Sequence, residues 1–223
     1  MAKRISIVLL SLFLLFIFSA CTNNTFESTK KETISSSDNN EIITSDTEQS
    51  DENESEETKQ MNSNILVVYF SATDTTKRIA QSTAEILNTD INEILPQQPY
   101  TDEDLAYYTN GRADREQSNP SVRPAISGSI YNIDKYDTII LGYPIWHSQA
   151  PRIISTFLES YDFSGKTIIP FCTSHSSGIG SSDTDLHSLC SDNTNWVKGK
   201  RFSQTASQND IEEWLNSVDI LKA

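Results

Sequence analysis

Glycine is scarce in this sequence: the 223 residues include seven glycines, and the glycine-rich motifs of several enzyme classes are missing. No segment follows the pattern G-x-x-x-x-G-K-[ST] of a phosphate-binding loop, and no G-x-G-x-x-G follows the first predicted strand, as it would in a dinucleotide-binding fold. The pattern G-x-S-x-G, which marks the nucleophile of many serine hydrolases, is missing as well. A phosphate site in this chain would have to be built from other residue types.

Basic residues are also few, because 17 lysines and arginines stand against 31 aspartates and glutamates, for a formal net charge of −14. Residues 63–223 alone carry a net charge of about −8. An acidic surface repels a phosphate backbone, so nucleic acid is not an expected partner. The three histidines, His147, His175 and His187, fall on separate predicted elements without the spacing of a shared ligand set, and no metal site is predicted.

The first residues have the pattern of a secretory signal. Lys3 and Arg4 precede an apolar stretch, residues 5–18, that is short for a membrane span. The stretch ends in the letters FSAC, which resemble the bacterial lipoprotein signal, where small residues precede a lipidated cysteine. We therefore expect residues 1–21 to be a lipoprotein signal peptide ending at lipidated Cys21, which would anchor the protein outside the cell membrane. An uncleaved anchor and a plain secretory signal are the alternatives.

Residues 22–62 contain no proline, glycine, tryptophan or tyrosine, and they carry 11 acidic and 3 basic side chains. The segment has too little apolar surface to offset the entropy that it would lose on ordering. It is therefore predicted to be a disordered acidic tether. Residues 63–223 remain for one domain.

Cysteine is limited to three residues. If Cys21 carries lipid, Cys172 and Cys190 remain. A disulfide between them and two buried thiols are both compatible with the sequence outside the membrane.

Short apolar runs alternate with segments of helical periodicity along the domain. The strands are predicted at 65–70, 91–95, 138–143, 166–171 and 196–202. The helices are predicted at 75–87, 102–108, 150–160, 183–189 and 207–218. Uninterrupted apolar runs are typical of strands buried on both faces, so the sequence predicts an α/β fold with a doubly wound, five-stranded parallel sheet. In such sheets ligands bind beyond the carboxyl ends of the strands.

Three loops follow strands of this predicted sheet. The first is rich in hydroxyls, with Ser71, Thr73, Thr75 and Thr76 between a strand and a helix. Unpaired backbone N–H groups and the helix dipole favour a phosphate there, and hydroxyls add hydrogen-bond donors. A helix cap without a ligand is the alternative for this loop alone.

The second loop carries Trp146 after Pro144, and the third carries Gly178 and Gly180 among hydroxyl side chains. An exposed tryptophan is well suited to cover a flat ligand, and glycines allow a ligand to approach the backbone closely. Together the three loops indicate a planar, phosphorylated cofactor.

These motifs, S-x-T-x-T-T, G-Y-P-I-W and F-C-T-S-x-S-S-G-I-G in this order, closely resemble the flavodoxin-like family of FMN-binding proteins. The stretches YDTIILGYPIW and FSGKTIIPFCTS are similar to a bacterial branch of that family. The resemblance covers residues 65–218 and implies a three-layer sandwich with FMN as the cofactor.

The resemblance also implies a role for each loop. The FMN phosphate would be held by Ser71, Thr73, Thr75 and Thr76. The isoalloxazine ring would lie against Pro144, Ile145 and Trp146, with Trp146 as a stacking partner. The pyrimidine side of the ring would contact Thr173, Ser174, Ser177, Gly178 and Gly180.

Two residues depart from the family pattern. Asp74 stands where the phosphate loop usually has glycine; it tolerates a left-handed backbone but adds a negative charge. His147 stands where a second tryptophan is common. We expect a membrane-anchored FMN protein that transfers electrons to an unknown redox partner, either as a shuttle or as a reductase of quinones or other small acceptors. The alternative is a flavodoxin-fold binding or scaffold module that no longer binds FMN.

Overall fold

The computed structural model describes residues 64–222. The predicted signal peptide, the lipidation site Cys21 and the predicted tether lie outside the described residues. The strands, in chain order, are β1 (Ile65–Tyr69), β2 (Asp90–Glu93), β3 (Leu95–Pro96), β4 (Ile126–Ser127), β5 (Thr138–Pro144), β6 (Thr167–Thr173), β7 (Asn195–Trp196) and β8 (Lys200–Phe202). The α-helices are α1 (Thr75–Leu87), α2 (Asp102–Leu105), α3 (Arg112–Ser118), α4 (Arg152–Glu159) and α5 (Gln208–Ser217).

The main sheet is parallel and has the order β2, β1, β5, β6, with β7 and β8 both beside β6. The first strand, β1, therefore lies inside the sheet, and β2 forms one edge. The later strands β5 and β6 follow on the other side of β1 and lead to the opposite edge. This confirms the predicted doubly wound α/β fold with five strand positions.

Both faces of the central strands are buried, because successive side chains of β1 point to opposite faces of the sheet. Val68 packs in one apolar cluster with residues of α4, such as Phe157. Val67 packs in a second cluster with Ile79 of α1 and Trp214 of α5. The sheet thus lies between two helical layers, as the uninterrupted apolar runs predict.

The fifth strand position is split, which corrects the prediction of one strand at 196–202. Thr167 is paired with Asn195, whereas Phe171 is paired with Lys200, so one extra residue is inserted between β7 and β8. The carbonyl of Ile168 accepts a hydrogen bond from the N–H of Val197, and Pro170, two residues further on, faces the same neighbour. Proline has no N–H to offer, so the pairing is interrupted there.

The segment between β2 and β5 differs most from its prediction. Helix α2 is only one turn long, helix α3 was not predicted, and β3 pairs with β4 in a small antiparallel sheet.

Residues 184–189 form a 3₁₀ helix rather than an α-helix. Ser207 and Asp210 form a capping box at the start of α5. No helix within residues 64–222 is long and apolar enough to cross a membrane.

Gly142 of β5 lies against the ring of Phe171. An added Cβ would be 2.3 Å from Phe171 Cζ. The ring is buried and packs edge-on against Phe202 and Trp214, with centroid distances of 6.0 and 5.8 Å. It therefore has little room to move away.

We expect Gly142→Ala to lower the free energy of unfolding by about 1–3 kcal/mol, because the methyl group overpacks the core. Denaturant unfolding of the full chain in mild detergent measures this. Gly178→Ala is the control: the nearest atom to its added Cβ is 3.9 Å away, so the change should stay within about 0.5 kcal/mol. Equal stability of the two variants would contradict the close packing at Gly142.

Candidate functional site

The first loop joins β1 to α1 and leaves several hydrogen-bond donors without side-chain acceptors. Asp74 occupies the N-cap position in a left-handed conformation, with φ of 59°, and its side chain does not cap the helix. The first turn of α1 contains no acidic residue. Ser71 Oγ is buried and has no hydrogen-bond partner. A buried hydroxyl without a partner at an uncapped helix N-terminus is unusual, and it lies where the sequence predicts a phosphate.

The other predicted hydroxyls of this loop differ in their surroundings. Thr73 is exposed and Thr75 is half-buried, whereas Thr76 is 1 % exposed. The hydroxyls of Thr76 and Thr173 lie 2.8 Å apart, so this hydrogen bond joins the first loop to the end of β6. The side chain of Thr76 is therefore already engaged within the protein.

Asp74 has a left-handed backbone, a conformation that favours glycine. Its carboxylate is 86 % exposed and lies 3.9 Å from Lys77 Nζ. Lys77 is also 3.9 Å from Glu93 Oε2. The negative charge of Asp74 is thus at the surface, partly balanced by one lysine that it shares with Glu93.

The second loop is a tight turn over Trp146–Gln149. The backbone groups of Trp146 and Gln149 exchange two hydrogen bonds of 2.9 Å. His147 and Ser148, the two central residues, both have positive φ, of 48° and 64°. This is the pattern of a type I′ turn, here made without glycine. The ring of Trp146 packs edge-on against Phe70 and Tyr100, with centroid distances of 5.5 and 5.1 Å.

A buried glutamine of α3 supports the second loop. Gln117 Nε2 donates to the carbonyls of Trp146 and Ala150, at 3.1 Å each. Its Oε1 accepts from the backbone N–H of Arg152 at 3.0 Å. Gln117 is 4 % exposed, so its side chain is held within the protein. Sequence reasoning missed this residue because it did not predict α3.

His147 is held by residues of the segment before β5. Its Nε2 lies 2.7 Å from Asp114 Oδ1, and its ring stacks on Tyr107 at 4.3 Å. Burial raises the pKa of the Asp114 carboxyl, but hydrogen bonds from His147 and from the N–H groups of Asn110 and Tyr108 outweigh it, so the pKa lies below its ordinary value. The ionised carboxylate only accepts hydrogen bonds, so His147 carries a proton on Nε2.

The third loop is held by an arginine of β8. The Arg201 guanidinium donates to the carbonyls of Ser174 and His175, at 2.9 and 2.8 Å, and to Ser174 Oγ at 3.2 Å. Ser174 Oγ also donates to the carbonyl of Ser177. Gly178 and Gly180 are exposed, and an added Cβ at either position would meet no heavy atom closer than 3.9 Å. Space beside the two glycines is therefore open.

A cavity of about 210 Å³ brings the first and second loops together. The predicted site residues Thr73, Pro144, Ile145 and Trp146 line it. Tyr107, Asp114 and His147 close it from the segment before β5 and from the second loop. The residues of the third loop do not line this cavity; they are joined to the first loop through the Thr76 and Thr173 hydroxyls.

The two cysteines of the domain are free thiols. Burial raises the pKa of Cys172 to about 12 and that of Cys190 to about 11. Both are therefore protonated at neutral pH and poor nucleophiles. Within residues 64–222, no group of three or more histidine, cysteine or acidic side chains is arranged to hold a metal ion.

The doubly wound sheet, with hydroxyl, aromatic and glycine-bearing loops at its carboxyl edge, defines the class of α/β proteins that bind a phosphorylated cofactor at the end of a parallel sheet. The family model described as flavodoxin matches residues 64–218. The chain belongs to the flavodoxin family, which confirms the resemblance drawn from the three loop motifs.

Solved structures agree with this assignment. A solved structure described as a flavoprotein from Bacteroides eggerthii is 42% identical to this chain, with a TM-score of 0.66. The match covers 71% of this chain and 99% of that chain. A structure described as a flavoprotein from Bacteroides uniformis is also 42% identical, with a TM-score of 0.65. That match covers 69% of this chain and 97% of the other. A Lactobacillus acidophilus flavoprotein, solved in complex with FMN, is 21% identical, with a TM-score of 0.53 and coverage of 68% and 98%. At that identity it shows the shared fold. No curated protein matches the chain.

The acid-stability profile of the domain tests the Asp114 and His147 pair. A carboxyl whose pKa is lowered by folding stabilises the fold above its unfolded pKa, and this contribution is lost as the pH falls through the folded pKa. Asp114→Asn should therefore lower the free energy of unfolding at neutral pH and make its decline towards acid pH shallower.

Urea unfolding at a series of pH values from neutral to acid measures both effects. Asp192→Asn, which changes an exposed carboxyl, is the control and should keep the wild-type profile. An unchanged profile for Asp114→Asn would show that the pair does not stabilise the fold.

Proposed function

We propose that this domain binds FMN at the three loops and serves in electron transfer or in the flavin-dependent reduction of a small acceptor. The observation that carries the proposal is Ser71 Oγ, which is buried without a partner beside the uncapped N-terminus of α1. A phosphate there would accept hydrogen bonds from Ser71 and from the first N–H groups of the helix. Membership of the flavodoxin family supports the same assignment.

The residues of the first loop fit a phosphate. The donors are hydroxyl and N–H groups, and the carboxylate within the loop, that of Asp74, is exposed to solvent. Ser71, Thr73 and Thr75 would donate through side chains. Thr76 would donate through its backbone N–H, because its hydroxyl is bonded to Thr173.

The ring of the cofactor would be held by the other two loops. Pro144, Ile145 and Trp146 would form an apolar wall that keeps water from the ring. Thr173, Ser174, Ser177, Gly178 and Gly180 would face its pyrimidine side, mainly through the backbone groups that Arg201 holds in place.

When bound, FMN supplies the electron or hydride chemistry, and the protein supplies binding and electrostatics. His147 lines the same cavity as Trp146, with its Nε2 proton directed to Asp114. Its ring is kept in one orientation by the Asp114 bond and by stacking on Tyr107. The acidic domain would disfavour a further negative charge on the reduced cofactor and would attract basic partners.

Retention of flavin by the purified full chain tests this function. The chain is mixed with FMN in mild detergent and desalted, and bound flavin is read from its visible absorbance. We expect Ser71→Ala to weaken FMN binding about fivefold or more, because the phosphate loses one charge-assisted hydrogen bond. Ser176→Ala, an exposed hydroxyl outside the predicted set, should bind as the wild type does.

Asp74→Asn is compared with the wild type in the same measurement of FMN binding. Asparagine tolerates the left-handed backbone and removes the charge, so FMN should bind about threefold more tightly. A folded chain that retains no flavin would reject the proposal and favour the flavin-free binding module. Equal affinities of the wild type, Ser71→Ala and Asp74→Asn would reject the phosphate site.

We further propose that the domain is tethered outside the bacterial cell membrane through lipid on Cys21. The support comes from the basic residues Lys3 and Arg4, the apolar stretch 5–18 and the small residues before Cys21. Acyl chains on this residue would bind the bilayer by burying their CH₂ groups. Residues 22–62 would then separate the domain from the membrane surface.

Mass spectrometry of the protein isolated from a bacterial host that modifies lipoproteins tests the anchor. We expect an N-terminal peptide that begins at acylated Cys21. Cys21→Ser should remove the acyl mass, with Cys190→Ser as the matched control that keeps it. A wild-type chain whose N-terminal peptide carries no acyl group would reject lipid anchoring.

A further inference from the structure

A second cavity, of about 470 Å³, lies beside the cavity of about 210 Å³ that the first and second loops line. The two cavities share no lining residue. Its walls come from the chain that follows β5, from the chain that follows β6 and from the end of α3. None of the residues predicted to contact FMN lines it. Its volume lies within the range of about 300–1,000 Å³ that is typical of small-molecule sites.

One guanidinium group on the wall of this cavity has no acidic partner. Arg152, the first residue of α4, is half-buried and donates from Nη2 to the carbonyl of Gln117 at 3.0 Å and to Gln149 Oε1 at 2.7 Å. Its Nε is buried without a hydrogen-bond partner. Arg152 takes part in none of the ion pairs within residues 64–222. Its hydrogen-bond acceptors within the protein are therefore neutral oxygens.

The other charged groups of the cavity are already engaged. Arg123 forms a two-pronged ion pair with Glu159, with both N–O distances at 2.7 Å. Asp185 accepts a hydrogen bond from Ser181 Oγ at 2.9 Å. Burial and the charge of Arg123 lower the pKa of Arg152, and the charge of Asp185 offsets only part of this, but a guanidinium stays protonated at neutral pH. A part-buried cation without a direct ion pair is stabilised by an anion that enters the cavity.

The remaining walls indicate what kind of anion fits. Four serines line the cavity; Ser188 is exposed, whereas the buried hydroxyl of Ser182 is bonded to that of Tyr143. Leu189, which is half-buried, provides apolar surface on the 3₁₀ helix after the third loop, where Leu186 is packed in the core. A bare inorganic anion would leave this apolar surface in contact with water, whereas an organic carboxylate would cover it.

We propose that this cavity binds a small organic carboxylate, with the carboxylate on Arg152 and the apolar part on Leu189. The cavity is connected to the second loop, since Gln149 bonds both to Arg152 and to the backbone of Trp146. The ligand would lie next to the FMN ring, a point that rests on the proposed function. Binding of the carboxylate itself requires no flavin.

Fluorine NMR with 4-fluorobenzoate as the probe tests the site on the full chain in detergent, with and without added FMN. We expect a saturable change of the probe signal in both states. Arg152→Gln should weaken binding about tenfold or more, because the charge-assisted hydrogen bond is lost. Asp185→Asn should tighten binding, because it removes the carboxylate that repels the probe.

Lys198→Gln removes an exposed positive charge outside the cavity and should leave the affinity unchanged. Arg152→Lys keeps the charge and should bind more tightly than Arg152→Gln, which separates loss of charge from loss of structure. Equal affinity of Arg152→Gln and wild type, or no probe binding in either state, would overturn the proposal. Tighter binding of inorganic phosphate than of the probe, in competition, would overturn the assignment to an organic carboxylate.

Discussion

Burial of β1, β5 and β6 on both faces is the constraint on which the rest of this structure depends. Parallel pairing in continuous register, with Tyr69 beside Gly142 and Gly142 beside Phe171, ends the three strands at one edge of the sheet. The loops that follow therefore emerge side by side. The hydrogen bond between the Thr76 and Thr173 hydroxyls, at 2.8 Å, is a direct consequence, because it joins the start of α1 to the end of β6.

The three loops are held in different ways, and these differences suit different tasks. The first loop keeps donors unpaired, as Ser71 shows, which suits the binding of an anion. The second loop is supported from behind by Gln117 and from the side by the Asp114 and His147 pair. The third loop depends on Arg201 for its backbone conformation. A site that combines open donors with supported walls can bind a cofactor without large rearrangement.

Local sequence patterns were sufficient for the layers of the fold and for the position of its binding edge. The apolar runs and helical spacing predicted the sheet and its flanking helices because burial on both faces leaves a short-range signal. The split fifth strand could have been suspected from Pro170, but only the pairing shows that its missing N–H faces that strand. Helix α3 was missed because its seven residues, RADREQS, carry almost no apolar periodicity.

The sequence by itself determined the fold class, the family and the three loops, since hydroxyls after a buried strand and a tryptophan after Pro144 are features of neighbouring residues. The tertiary structure decided which other side chains serve those loops. Gln117, Asp114 and Arg201 each lie 26 to 35 residues from the groups of the second and third loops that they bind. It likewise left Arg152 without a direct ion pair in the second cavity. Contacts of this kind depend on how distant segments pack, and no local pattern of residues records them.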